Sequence, residues 1–191
     1  MKQDTKADSQ PPSTVRILGV DPGSVITGIG IIDAQGNQLR HVAHFPIKTG
    51  GGDFNARLQA IFNGVSEAVA EHQPQEVAVE RVFMSRNPDS ALKLGQARGA
   101  AIVAAGRTCE LAEYSPRSIK QALVGGGGAD KTQVQHMVAM LLKLTPPLQA
   151  DAADALAAAI CHAHHRATQN RLATVPAAAV RRRRRPAQSR R

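Results

Sequence analysis

Four carboxylates stand where local preference disfavours them. Asp21 closes the apolar run "ILGVD" and is followed at once by Pro22 and Gly23, Glu80 closes the run "EVAVE", and Asp151 and Asp154 lie three apart in "QADAADALAAAI". An unpaired charge at the end of a buried strand is costly, and two like charges three apart on one helix face disfavour the helix by roughly a few tenths of a kcal/mol. Taken alone, the 151/154 pair reads as N-terminal acids favoured by the helix dipole. The surrounding alanines point elsewhere, because they leave the backbone free to approach another element closely. Four acids meeting at one spot would repel strongly unless divalent cations neutralised them. Hard oxygen donors of this kind suit magnesium or manganese, and two such ions about 4 Å apart support in-line phosphoryl displacement by water. The chemistry this pattern points to is that of a nuclease.

The elements that must carry these residues are legible from periodicity. "VRILGVD" and "VITGIGIID" are β-branched runs joined by "PGS", a hairpin whose turn residues supply the needed dihedrals. A third strand near "LRHVAHFPIK" follows the turn "AQGNQ". Asp53 then caps a helix in which Phe54, Leu58, Ile61, Phe62, Val65 and Val69 recur at helical spacing. After Pro74 come the strand "EVAVE", a helix from about Asp89 to Ala105, a strand at "CELAEY", a helix capped by Ser115 with Pro116 in its first turn, a glycine run and two further helices. The expected fold class is α/β, with a mixed sheet of five strands flanked by helices on both faces.

At 191 residues the chain has room for one ordinary domain. No apolar run approaches the roughly 20 residues of a membrane span, and residues 1–14 lack the apolar segment of a secretory signal; a soluble, cytoplasmic protein is expected. Cys109 and Cys161, widely spaced in apolar surroundings, read as buried thiols. The net charge of +9 suggests a nucleic-acid partner, yet residues 15–167 hold 14 basic and 13 acidic groups. The excess sits in an arginine-rich stretch, so the expected organisation is a disordered leader at 1–14, one domain at 15–167 and a disordered basic tail at 168–191 that adds nonspecific affinity for nucleic acid.

Four segments, "ILGVDPGSVITGIGIID", "VAVERVFMSRNPDSALKLGQARGAAIVAA", "SIKQALVGGGGADKTQVQHMVAMLLKL" and "QADAADALAAAI", follow in an order and spacing that resembles the RuvC family of Holliday junction resolvases, over about residues 15–165. The resemblance implies a ribonuclease H-like fold and an endonuclease that cuts two strands of like polarity at a four-way DNA junction, leaving ligatable 5′-phosphate and 3′-hydroxyl ends. It implies that Asp21, Glu80, Asp151 and Asp154 bind two Mg²⁺ ions, with Mn²⁺ able to substitute. Lys131 matches a basic residue near the scissile phosphate, and Lys120 another at the DNA-binding face. Phe83 matches an aromatic that stacks on bases near the crossover, and Arg86 is added as a phosphate contact. Two-fold symmetry of the junction implies a homodimer, with "SALKLGQARGAAIVAAG" as the contact helix; packing of that helix against its own sheet is the alternative, and the two are compatible. Docking to the RuvA–RuvB branch-migration complex is a further family expectation.

Other readings have less support. The "DPGS" turn also occurs in actin-like kinases, which need a second such domain and a longer chain. A junction-binding protein without catalysis would not need all four acids, and a ribonuclease H lacks "NPDSALKLGQARG" and "ADKTQVQHMV". "VGGGGADK" has no Gly-Lys-Ser/Thr ending and is not a nucleotide-binding loop; it reads as a flexible loop presenting Lys131. His162, His164 and His165 in "CHAHHR" fall on different helix faces and read as surface residues, not zinc ligands. Arg81, Arg86, Lys93, Arg98 and Arg117 read equally as phosphate contacts or as solvated charges.

Overall fold

The computed structural model describes residues 13–81 and 87–173. Strands β1 (Val15–Asp21), β2 (Ile26–Gln35) and β3 (Gln38–Lys48) form an antiparallel meander, and β4 (Glu76–Glu80) and β5 (Glu110–Tyr114) extend it in parallel from β1, giving the order β3-β2-β1-β4-β5. Helices α1 (Phe54–His72) and α2 (Pro88–Ala105) cover one face; α3 (Pro116–Val124), α4 (Lys131–Leu142) and α5 (Ala150–Ala173) cover the other. The expected α/β class with a mixed five-stranded sheet and helices on both faces is what the chain adopts.

Strand alternation decides which face each side chain meets. Leu18, Val20, Ile29, Ile31, Val77 and Val79 pack with Ile61 and Val65 of α1 and Ala97 and Ala101 of α2. Ile17, Ile32 and Ala78 point the other way, toward Ile119, Val134, Val138, Leu156 and Ile160. Asp21 and Glu80 continue this second series, so both acids finish their strands on the face covered by α5. The two strands are parallel neighbours, with Val20 beside Val79, so both acids leave the sheet at the same end.

The second face is unusually tight. A Cβ at Gly19 would lie 1.9 Å from the Ala155 carbonyl oxygen, and one at Gly28 would lie 2.0 Å from that of Asp151. Against these glycines α5 presents the buried alanines 152, 153, 155, 157, 158 and 159. Small residues on both sides bring helix backbone onto sheet backbone, and this seats the first turns of α5 over the strand ends.

Side-chain caps set most helix starts. Asp53 accepts from the Ala56 N–H at 2.8 Å, Ser115 from the Ser118 N–H at 3.0 Å, and Asp130 forms a capping box with Gln133. Asn87 caps α2, so that helix opens at Pro88 and not at Asp89. At the other boundary α5 runs on through Ala173, past the expected domain end at 167. Residues 168–173 are therefore helix and not the start of a tail; Thr168 donates to the His164 carbonyl at 2.9 Å and Arg171 to Asn37. Among the described residues no helix is long and apolar enough to cross a membrane.

Candidate active site

The turn after Asp21 is locked from three sides. The Thr27 hydroxyl, fully buried, donates to the Gly23 carbonyl at 3.0 Å and accepts from the Gly23 N–H at 3.3 Å. Thr49 donates to the Val25 carbonyl through its hydroxyl and its backbone N–H, each at 3.1 Å. Arg57 of α1 donates to the Ser24 carbonyl and, at 3.3 Å, to the Thr49 hydroxyl. Asp21 thus ends a rigid strand and begins a rigid turn.

Its electrostatic setting is uncompensated. Burial, and after it the charges of Glu80, Asp154 and Asp151, push the Asp21 carboxyl up to about 7, with Lys131 opposing them. Glu80 is raised by burial and by Asp154, and lowered by Lys131 and Lys120. The Lys131 ammonium bridges to Asp154 at 2.8 Å, a contact that raises its own pKa. Glu80, Lys120, Lys131 and Asp154 line a cavity of about 200 Å³ whose floor is Ile119, Val134 and Ala157.

The structure therefore gathers all four expected acids and both expected lysines at one end of the sheet. Lys131 is carried by the first turn of α4, behind the Asp130 capping box, and so is held by a helix end and not by the glycine loop. The acids lie within electrostatic reach of one another, but no three His, Cys, Asp or Glu side chains among the described residues close into a metal-ligand cluster. The donor set itself suits a hard cation: carboxylates alone, one of them pushed up to about 7 by burial and by the other acids.

Other sequence expectations resolve differently. Phe83 and Arg86 lie outside the described residues. Arg81 and Arg98 both pair with Glu113, and Lys93 pairs with Asp89 at 2.6 Å, so these three are engaged within the chain. Arg117 lies alongside the loop, its Cγ 2.7 Å from where a Cβ at Gly127 would sit. Cys161 is fully buried, and the Cys109 thiol donates to the Pro74 carbonyl at 3.2 Å. The surface reading of the histidines is wrong for at least two of them: His162 is wedged between Tyr114 and Glu76 at 2.8 and 2.7 Å, and His164 meets the Ala122 carbonyl at 3.0 Å. Sequence reasoning missed Gly19, Gly28, Thr27, Thr49 and Arg57. The glycines carried a signal, since alternation puts Gly19 and Gly28 on the face of Asp21; Thr49 and Arg57 carried none.

Comparison with known proteins places this arrangement. The sequence model of the family described as crossover junction endodeoxyribonuclease RuvC matches residues 17–162. The chain is 58% identical over 153 residues to a Pseudomonas putida protein of that description, covering 80% of this chain and 88% of the relative. It is 59% identical over 160 residues to one from Xanthomonas campestris, covering 82% and 92%. Among solved structures it is similar to Thermus thermophilus RuvC in complex with Holliday junction substrate, at 33% identity and a TM-score of 0.76 over 81% of this chain and 96% of that one. A yeast mitochondrial Holliday junction resolvase shares the fold at 15% identity and a TM-score of 0.54. With the family match spanning most of the chain and the relatives nearly complete, the chain belongs to the RuvC family of crossover junction endodeoxyribonucleases.

Proposed function

We propose that this protein is a homodimeric, divalent-metal-dependent endonuclease that resolves four-way DNA junctions by paired symmetric nicks during recombination and repair in the cytoplasm. The observation that carries the reading is the pairing of two strand-end acids, Asp21 and Glu80, with Asp151 and Asp154 on a helix seated over them by glycine and alanine. Asp21, Glu80, Asp151 and Asp154 would hold two Mg²⁺ ions, for which Mn²⁺ would substitute. Such ions would supply activation of water and stabilisation of the leaving oxygen, the chemistry of a cut that leaves 5′-phosphate and 3′-hydroxyl ends.

The chain's own groups do the rest. The locked turn fixes the Asp21 carboxylate, and α5 presents Asp151 and Asp154 from one helix face. Lys131 exchanges its contact with Asp154 for the scissile phosphate and stabilises charge there. Lys120 lines the same cavity and steadies the neighbouring phosphate. Phe83 stacks on a base near the crossover and Arg86 holds the backbone beside it. The arginine-rich stretch after α5 adds salt-sensitive, sequence-independent affinity. Because one subunit carries one set of acids, two symmetric cuts require two copies. Leu92 and Val103, 68% and 59% exposed on the outer face of α2 with open space over Gly95 and Gly99, supply the surface where the second copy packs. RuvA–RuvB is the expected partner complex.

The test compares cleavage of a mobile four-way junction, a linear duplex and an RNA·DNA hybrid in Mg²⁺ by protein whose dimeric state is checked by sedimentation. Paired nicks in the junction alone are expected. Equal cutting of the hybrid would reverse the assignment.

A further inference from the structure

Strand β4 carries a carboxylate at each end, and α5, running antiparallel to it, meets both. Glu76, at the start of the strand, accepts from His162 Nε2–H at 2.7 Å and from Arg166 Nε–H at 2.8 Å, the two donors being one helical turn apart on α5. The other ring nitrogen of His162 accepts from the Tyr114 hydroxyl at 2.8 Å. Burial, with the nearby Cys161 and Glu76, pushes the phenol up to about 12. Tyr114 also stacks on His165, with ring centroids 5.0 Å apart. In the β4–β5 ladder Tyr114 is the direct partner of Glu80. The network therefore joins the strand that carries Glu80 to the helix that carries Asp154.

The spacing on the two elements matches. From Glu76 to Glu80 the strand advances about 13 Å, and from His162 back to Asp154 the helix advances about 12 Å. Glu76–His162 and Glu80–Asp154 are thus two parallel rungs between the same pair of elements. Between the rungs lie the buried Ala78 and Ala157, whose side chains are too short to interlock. Alanine on alanine allows close approach but resists sliding and tilting poorly, whereas directional hydrogen bonds define one register.

We infer that Glu76, His162, Tyr114 and Arg166 are positioning residues that set the register of α5 on β4 and so the spacing between Glu80 and Asp154. The inference rests on the reading that these two acids share in holding the divalent ions. It assigns a role to the "CHAHHR" segment that nuclease chemistry alone does not. The four residues act through the placement of Asp151 and Asp154.

The full chain carrying His162→Ala, Glu76→Ala, Glu76→Gln or Tyr114→Phe tests it through three measurements. These are Mn²⁺ binding to DNA-free protein by calorimetry, the Mg²⁺ dependence of single-turnover junction cleavage, and junction affinity without metal. His162→Ala and Glu76→Ala are expected to weaken Mn²⁺ binding and raise the Mg²⁺ needed for half-maximal cleavage by about tenfold, the low end for residues that orient metal ligands. Metal-free junction affinity should not change. Glu76→Gln keeps an acceptor for His162 and should recover most of the loss. Tyr114→Phe removes one hydrogen bond and should give a smaller shift in the same direction, and it decides the matter if the alanine variants fail to fold. Variants that melt earlier but bind Mn²⁺ and respond to Mg²⁺ like the wild type would overturn the inference and leave the network a stabilising one. Wild-type protein that neither binds Mn²⁺ nor cuts the junction would instead overturn the functional reading beneath it.

Discussion

At the end of the sheet where β1 begins, Asp33 accepts from Arg16 Nε–H at 2.8 Å and from Arg40, and Glu76 is held by His162 and Arg166. At the end where β1 finishes, Asp21 and Glu80 each feel the charge of Asp154, with lysines as the opposing charges. Both ends belong to the same sheet, yet the guanidiniums at the first hold Asp33 below the usual carboxylate range, while burial and like charges at the second push Asp21 up to about 7. A fold that balances its buried acids at one end and leaves them unbalanced at the other gives up stability where the proposed cation site lies.

The largest effect that would break this contrast is at Asp21. Asp21→Asn is expected to reduce junction cleavage by more than the about 100-fold that marks the upper range for residues that only orient ligands. In metal-free protein the same change should raise the melting temperature. Its pH dependence has a definite sign. Ionising a carboxyl held near 7 in the folded state, against about 4 in the unfolded chain, opposes folding, so the cost grows between those values and is complete above about 7. The advantage of Asp21→Asn in thermal melts should be greatest above pH 7 and fade toward pH 4. An advantage independent of pH would mean that Asp21 is already compensated.

Next in size is the seat of α5. Gly19→Ala forces a methyl group against the Ala155 carbonyl, and a displaced helix is expected to cost about 1–3 kcal/mol of stability. Cleavage should fall with it, because the same helix carries Asp151 and Asp154; denaturant titration and single-turnover rates read the two effects separately. Full activity in a folded Gly19→Ala protein would show that the acids tolerate a loose helix.

The smallest effect is expected at the compensated end. Asp33→Asn should lower stability by about 1 kcal/mol, the scale of a hydrogen bond to a charged partner that stays partly solvated. The activity of the folded fraction should be unchanged. Asp33 is held below its unfolded value, so its contribution is present above about pH 4 and is lost as pH falls through the folded value. The wild type and Asp33→Asn should therefore converge in acid melts, and at higher pH the difference should have the opposite sign to that of Asp21→Asn.

Much of this was legible in the chain. Asp21 and Glu80 end runs whose alternation identifies them as strands, and Asp53, Ser115 and Pro116 are local start signals that need no tertiary partner. The 151/154 spacing puts two acids on one helix face, and their alanine neighbours signal close approach. The same local logic overruns at the far end of α5, where a polar, arginine-containing stretch has the composition of a tail although residues 168–173 continue the helix. It also missed the histidines, because helical spacing reports which residues share a face and not what that face meets.

By itself, then, the sequence determined which acids were available, on which kind of element each sits, and which glycines and alanines let those elements approach. Those properties depend on backbone preference and side-chain size within a few residues. Only the tertiary structure decided that Arg57 reaches the Ser24 carbonyl, that His162 and Arg166 close on Glu76 from 86 and 90 residues away, and that Lys131 meets Asp154. Hydrogen bonds and ion pairs of that range carry no local signature. They form because hydrophobic packing first brings the sheet and α5 together, and their short, directional geometry then selects one register among those that packing alone would allow.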